Sequence, residues 1–268
     1  MMQNILTIDV EDWYQTQSYR SKIKASDWDI LESRLGITLE ILEILRQHKA
    51  KATFFILAYN AKRHPDIVRL IAEEGHELGV HGYYHNPAYL QTPLQFQNEV
   101  GYSKKLIEDL CQTKVIGFRA PNWSITLSCL WALDILRQLG FYYDSSMSES
   151  IFKKTRNKIP HELLEIPRSS FRFMGIAIPF AGGGSLRAYP YFATRKLIQQ
   201  KNKKGHKVVV YIHPWECDRN PPQAGLAFSK RLMKDFNLGS TKEKLGFLLK
   251  DFEFNSIRNL YYAALGNP

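Results

Sequence analysis

The chain has 268 residues, 44% of them hydrophobic, with 36 Lys and Arg against 26 Asp and Glu, a net charge of +10. A chain of this kind can bury a large core, and without a Pro/Ser/Gly linker, internal repeat or low-complexity tract it reads as one domain, residues 1–268. The opening "MMQNILTIDVEDW" has no basic region followed by a long apolar stretch, and apolar runs such as "KVVVYIHPW" are too short to cross a bilayer.

In chain order, "NILTIDV" (4–10) is the first predicted strand. "RLGITLEILEILRQH" repeats Leu and Ile at three- and four-residue steps, as an amphipathic helix does. "KATFFIL" is the second strand, and "HPDIVRLIAEEG" is a helix with Pro65 in its first turn and Gly75 as its stop. "HELGVH" is the third strand. The helix from "TPLQFQNEV" has Thr92 as N-cap, Pro93 at N1 and Gln95 completing a capping box. "KVIGFR", the helix "TLSCLWALDILRQLG" and "FYYDSS" continue the alternation, followed by strands "LLEIP" and "MGIAIP". The helix around "YFATRKLIQQ", the strand "KVVVYIH" and a helix "TKEKLGFLLKDF" complete it, so that residues after about 217 read as a C-terminal helical extension. Repeated β-then-α units imply a mainly parallel sheet covered by helices, doubly wound or closed as a barrel.

In such folds functional residues gather at the C-terminal strand ends. Asp9, Glu11 and Asp12 close the first strand, His81 and His85 the third, Arg119 the fourth, Asp144 the fifth and His213 the last. A solvated rim would favour Lys, Ser, Asn and Gln instead. Two imidazoles and a carboxylate make a common three-ligand set for a catalytic divalent metal. A further carboxylate would accept a proton from water and a His would protonate a leaving group, which suits hydrolysis of an amide or ester.

The stretches "TIDVEDW" (7–13), "HGYYH" (81–85), "GFRAPNWS" (117–124), "YYDSS" (142–146) and "VYIHPWE" (210–216) occur in the order of known family motifs. The chain resembles the polysaccharide deacetylases, the NodB-homology group of carbohydrate esterase family 4, and within them an exopolysaccharide-associated branch. The resemblance implies an irregular, incompletely closed (β/α) barrel. It implies metal ligands at His81 and His85, a catalytic base at Asp9 and a general acid at His213. It also implies that Arg119 steadies the base, that Asp144 supports His213, and that Pro121, Trp123, Ile212 and Trp215 form the groove and acyl pocket. "DVED" departs from the family's adjacent Asp pair. Asp12 is preferred here as third ligand because strands commonly end at such a point; Glu11, which shares a face with Asp9 on an extended strand, is the alternative. His64 and His76 match no family position.

The expected activity is metal-dependent N-deacetylation of N-acetylated sugars in a polysaccharide or its lipid-linked precursor. The expected cofactor is a divalent metal, zinc before cobalt, nickel or manganese. The alternatives are an O-acetyl esterase, a metal-free cyclic-amide hydrolase, or a non-catalytic carbohydrate-binding protein. Cys111, Cys129 and Cys217 form no disulfide framework or zinc motif, which suits the cytoplasm. Charge is uneven: residues 1–149 hold 15 Lys/Arg and 18 Asp/Glu, net −3, and residues 150–268 hold 21 and 8, net +13. The basic half, with "KNKKGHK" (201–207), suggests contact with an anionic membrane face; no nucleic-acid recognition motif accompanies it.

Overall fold

The computed structural model describes residues 2–222, 225 and 234–261. All seven residues of β1 (Asn4–Val10) are buried, as a strand covered on both faces requires. From β1 the sheet runs in parallel through β2 (Thr53–Ile56), β3 (Glu77–Val80), β4 (Gly117–Phe118), β5 (Tyr143–Asp144) and β6 (Leu164–Glu165). β1 also pairs in parallel with β9 (Val209–Ile212) and, at Asn4 and Ile5, with β10 (Phe254–Asn255). A two-stranded antiparallel ribbon, β7 (Ser170–Phe173) and β8 (Ile176–Pro179), is inserted between β6 and β9. Among the described residues β6 and β9 share no ladder. The gap is bridged instead by Val209 N donating to Ser169 Oγ (2.9 Å) and Tyr211 N to the Ala181 carbonyl (3.1 Å). This is the incompletely closed (β/α) barrel that the sequence implied.

The helices expected from the sequence are α1 (Thr38–Gln47), α3 (Pro65–Glu73), α4 (Pro93–Cys111), α5 (Trp131–Gln138), α8 (Tyr191–Lys203) and α9 (Ser240–Asp251); the short α2 (Ala58–Arg63), α6 (Glu149–Thr155), α7 (Gly183–Ala188) and α10 (Ile257–Tyr261) were not expected. Thr92 and Gln95 form the reciprocal capping box at the start of α4. The stretch after 217, expected as a helical extension, contains α9 but also returns β10 to the sheet; residues 223–224, 226–233 and 262–268 of it lie outside the described residues.

Strand alternation divides the core in two. Leu6, Ile8, Val10, Phe54, Ile56, Val80 and Phe118 pack in the larger cluster with the helices, while Ile5, Phe55, Tyr143, Ile166 and Val209 pack together inside the barrel. Two glycines make room for the inner rings: a Cβ on Gly79 would stand 2.6 Å from the Phe55 ring, and one on Gly117 2.0 Å from that of Tyr143. Tyr143 cannot swing aside freely, because its hydroxyl donates to Glu77 Oε1 at 2.8 Å. Gly117→Ala should therefore cost about 3 kcal/mol of overpacking strain, read as a lower urea midpoint.

Candidate metal and acid–base site

The cluster forms where β1, β3, β4 and β9 end. Arg119, at the end of β4, is fully buried, its guanidinium 4.2 Å from the Phe55 ring centroid and 4.3 Å from that of Trp123. Its Nε donates to the Ser145 carbonyl (3.1 Å), Nη2 to Ser145 Oγ (2.9 Å), and Nη1 to Thr7 Oγ1 (2.8 Å) and Asp9 Oδ1 (2.7 Å). A buried guanidinium held at every nitrogen is a rigid anchor for the Asp9 carboxylate. The other Asp9 oxygen, Oδ2, faces His213 Nε2 at 3.8 Å.

The two histidines converge on Glu11, not Asp12. Glu11 Oε1 lies 3.1 Å from His81 Nε2, 2.9 Å from His85 Nε2 and 3.8 Å from His213 Nε2. The loop carrying the histidines is held by Glu99 of α4, which accepts from Tyr83 N (3.1 Å) and Asn86 Nδ2 (2.9 Å). His85 sits there at φ +56°, a left-handed conformation that a side chain adopts at a cost. Burial pushes the Glu11 carboxyl up, and the imidazoles of His85, His213 and His81 gathered around it outweigh that, leaving it well below the ordinary range.

Asp12 has other work. Its carboxylate caps the 3-10 turn Trp13–Gln15, accepting from Trp13 N (2.9 Å), and it also accepts from Ser33 Oγ and Arg34 N. The expectation that Asp12 stands third beside the histidines is corrected: the chain turns after Glu11, and the turn consumes the Asp12 oxygens. The sequence held a sign of it, since Asp12 and Gln15 have capping-box spacing.

The expected partner of His213 is corrected too. Asp144 is fully buried, accepts from Ser146 Oγ and lies against Glu165; burial pushes it up to about 6. Ser146 Oγ in turn accepts from Ala120 N at 2.7 Å, so Asp144 braces the backbone next to Arg119. The group on His213 is Glu216, whose Oε2 lies 2.8 Å from Nδ1 and accepts from His213 N at 3.0 Å. Glu216 is itself fixed by Arg187 Nε at 2.9 Å. Burial lowers the His213 pKa, and the carboxylates of Glu11, Glu216 and Asp9 more than reverse this, pushing it up to about 9. These carboxylates favour the protonated form of His213, whose Nε2 faces Asp9 and Glu11 at 3.8 Å each.

Because the Asp144 carboxyl is raised from about 4 to about 6, folding takes up a proton there, and the associated stability is present at acid pH and lost as pH rises through that window. Unfolding free energies from urea titrations of wild type against Asp144→Asn should move against wild type by about 2 kcal/mol between pH 4 and pH 7.

A cleft of about 950 Å³ opens over Asp9, Glu11 and His213, lined also by Trp123, Tyr211 and Trp215. The Trp215 ring stacks on His213 at 5.5 Å. Of the four expected groove residues, Trp123 and Trp215 are there. Ile212 is fully buried in the helix-side core, since Tyr211 takes the inward place on β9, and Pro121 packs below, near Gly82. Tyr211, Asn122, Arg168 and the Gly183–Gly184 backbone, none of them singled out from the sequence, complete the wall.

The donor set fits a divalent cation. His81 Nδ1 lies 2.7 Å from the Arg119 carbonyl, which can only accept, so the proton is on Nδ1 and the Nε2 lone pair points at Glu11. His85 Nε2 is likewise buried and points at the same Glu11 oxygen, 2.9 Å away. Ligand atoms about 2.0–2.2 Å from one ion stand roughly 3 Å apart; Glu11 Oε1 is 3.1 and 2.9 Å from the two imidazole nitrogens, and all three atoms lie within 4.8 Å of one another.

Residues 28–143 match the family model "Polysaccharide deacetylase", and residues 138–262 match "Domain of unknown function (DUF3473)". The polysaccharide deacetylase match thus accounts for residues 28–143 of the chain. The first match contains His81, His85 and Arg119; Asp9 and Glu11 precede it, and His213 and Glu216 fall in the second. A peptidoglycan-N-acetylglucosamine deacetylase of Bacillus cereus is 38% identical over 101 residues, 37% of this chain and 37% of that protein. A chitooligosaccharide deacetylase of Azorhizobium caulinodans is 30% identical over 108 residues, 39% of this chain and 49% of that protein. The matches thus span half or less of those relatives. The crystal structure of a polysaccharide deacetylase family protein from Mycobacterium smegmatis superposes on 98% of this chain and 91% of its own, with a TM-score of 0.59 at 17% identity, which shows the shared fold.

Proposed function

We propose that the protein is a metal-dependent hydrolase that removes the acetyl group from N-acetylated sugar units of a polysaccharide or its lipid-linked precursor. The observation that carries this reading is the placement of an Arg-anchored carboxylate, Asp9, and a carboxylate-backed imidazole, His213, beside a buried two-His, one-carboxylate cluster. Names of relatives that act on N-acetylated glycans point the same way.

In this mechanism Glu11, His81 and His85 would hold the metal, zinc by preference for an imidazole and carboxylate set. Bound there, it supplies Lewis acidity toward the acetamide oxygen and lowers the pKa of water. Asp9, with Oδ1 tied to Arg119, keeps Oδ2 free to take the proton from the attacking water. His213 donates its Nε2 proton to the departing sugar nitrogen, and Glu216 on Nδ1 fixes the ring's tautomer and plane. Trp123 and Trp215 offer flat apolar faces for sugar rings. The products are acetate and a free amino sugar.

Three unpaired cysteines support a reducing, cytoplasmic setting. No helix among the described residues is long and apolar enough to cross a membrane. Docking of "KNKKGHK" on an anionic membrane would turn the cleft away from the bilayer, because the run precedes β9 while His213 follows it; Lys201 is also engaged by Glu149 at 3.3 Å. The test of function is acetate release by zinc-loaded protein from a panel of N-acetylated oligosaccharides and sugar nucleotides. Release from at least one N-acetylated glycan, lost on chelation and restored by zinc, is expected. Release from O-acetylated glycans alone would replace amide by ester hydrolysis, and none from any member would remove the deacetylase reading.

A further inference from the structure

The cleft is unusually basic for one that needs to hold only a neutral acetamido sugar. Beyond Asp9 and Glu11 no acidic side chain lines it among the described residues, whereas Arg20, Arg168, Arg187 and Lys234 do. Arg187 is already committed, to Glu216 and to the carbonyls of Lys234 and Phe236. The others are not. The Arg168 guanidinium is 5.9 Å from the Trp123 ring centroid, with no carboxylate in ion-pair range among the described residues. Arg20 makes two long contacts of 3.5 Å, to the His85 carbonyl and Asn86 Oδ1.

Lys234 is the most telling. Its side chain is 2% exposed, and Nζ has no hydrogen-bond partner among the described residues; Asp235 Oδ1, the nearest carboxylate, is 3.6 Å away. The ammonium stands 5.0 Å from the Tyr19 ring centroid and 5.1 Å from that of Trp215. Rings of this kind stabilise a cation partly, but a desolvated ammonium without a full hydrogen-bond set is costly, and an anion arriving from the cleft would offset that cost.

Position gives the pattern meaning. Ring contacts run from Trp123 to Tyr211 (5.3 Å), from Tyr211 to His213 (5.8 Å) and from His213 to Trp215 (5.5 Å). Arg168 adjoins the first ring and Lys234 the last, so the two cations flank the acid His213. We propose that the substrate is an anionic glycan, in which units on the two sides of the N-acetylated sugar bear carboxylate or phosphate groups, one bound by Arg168 and the other by Lys234, with Arg20 nearby. A planar guanidinium suits either anion in bidentate fashion. A hydroxyl-only neighbour would leave Arg168 without an anionic partner among the described residues and Lys234 with only the 3.6 Å contact to Asp235.

This inference rests on the deacetylase reading, and the experiment separates the two. Acetate release is measured as kcat/KM on three N-acetylated oligosaccharides of equal length: one neutral, one with a neighbouring uronate and one with a neighbouring phosphate. Calorimetric binding of the deacetylated uronate and phosphate oligosaccharides runs in parallel. At least one anionic substrate should exceed the neutral one tenfold or more, and the better arm names the anion. That preference should shrink with added salt and fall at least tenfold in Arg168→Gln and in Lys234→Met, the latter keeping the buried volume. Acetate release without anionic preference, or a preference that both variants retain, overturns the inference and leaves the deacetylase reading standing. Absence of acetate release with salt-sensitive, Arg168- and Lys234-dependent binding of the anionic oligosaccharides would do the reverse.

Discussion

Asp9→Asn should retain its metal yet lose about 100-fold or more in turnover, the usual scale for removal of a general base. The amide is nearly isosteric and still accepts from Arg119 Nη1, so the guanidinium network around Thr7 and Ser145 should survive. What disappears is the basic oxygen that faces His213 at 3.8 Å. His213→Ala should show a loss of similar size for the opposite reason, the missing proton donor. The partner of the acid has its own signature. Glu216 is among the carboxylates that raise His213 to about 9, so Glu216→Gln should lower that pKa and move the alkaline limb of the kcat/KM profile to lower pH. Asp144→Asn should leave the limb in place. An unmoved limb in Glu216→Gln, or wild-type turnover in Asp9→Asn or His213→Ala, would remove the acid–base assignment.

Glu11→Ala should abolish both tight metal binding and nearly all activity, since it deletes the one carboxylate between His81 Nε2 and His85 Nε2. His81→Ala and His85→Ala should each do the same. Asp12→Asn separates the rival accounts of the first motif. Its carboxylate accepts from two backbone N–H groups and Ser33, so the variant should keep its metal and lose about 1 kcal/mol of stability as a weakened cap. Inductively coupled plasma measurement of bound zinc on the four variants decides it. Full occupancy in Glu11→Ala with loss in Asp12→Asn would restore the reading that the sequence first suggested.

Most of the barrel could be read from the chain because buried parallel strands and amphipathic helices differ in apolar period, and their ends carry caps such as Thr92 and Gln95. The short strands β4, β5 and β6 were found through their apolar flanks, and the small return strand β10 was missed because two residues carry no period. At the site, residue type was legible and direction was not. Asp12 and Glu11 are neighbours whose fates diverge at a turn, and only the Asp12–Gln15 spacing signals which of them caps it. Glu216 follows His213 by three residues across Pro214, again a capping spacing, which the family pattern of a distant Asp obscured. Ile212 illustrates the cost of reading a motif without its alternation, since Tyr211 and Ile212 cannot share a face. Glu99, Arg168 and Lys234 reach the site from other elements, and no local pattern marks them.

The proposed metal position, among Glu11, His81 and His85, is open to test by anomalous scattering at the zinc edge from zinc-loaded crystals. A single strong peak about 2.0–2.2 Å from a Glu11 carboxylate oxygen and from Nε2 of both His81 and His85 is the result it predicts. A peak held by the Asp12 carboxylate, or no peak at the two histidines, would contradict it.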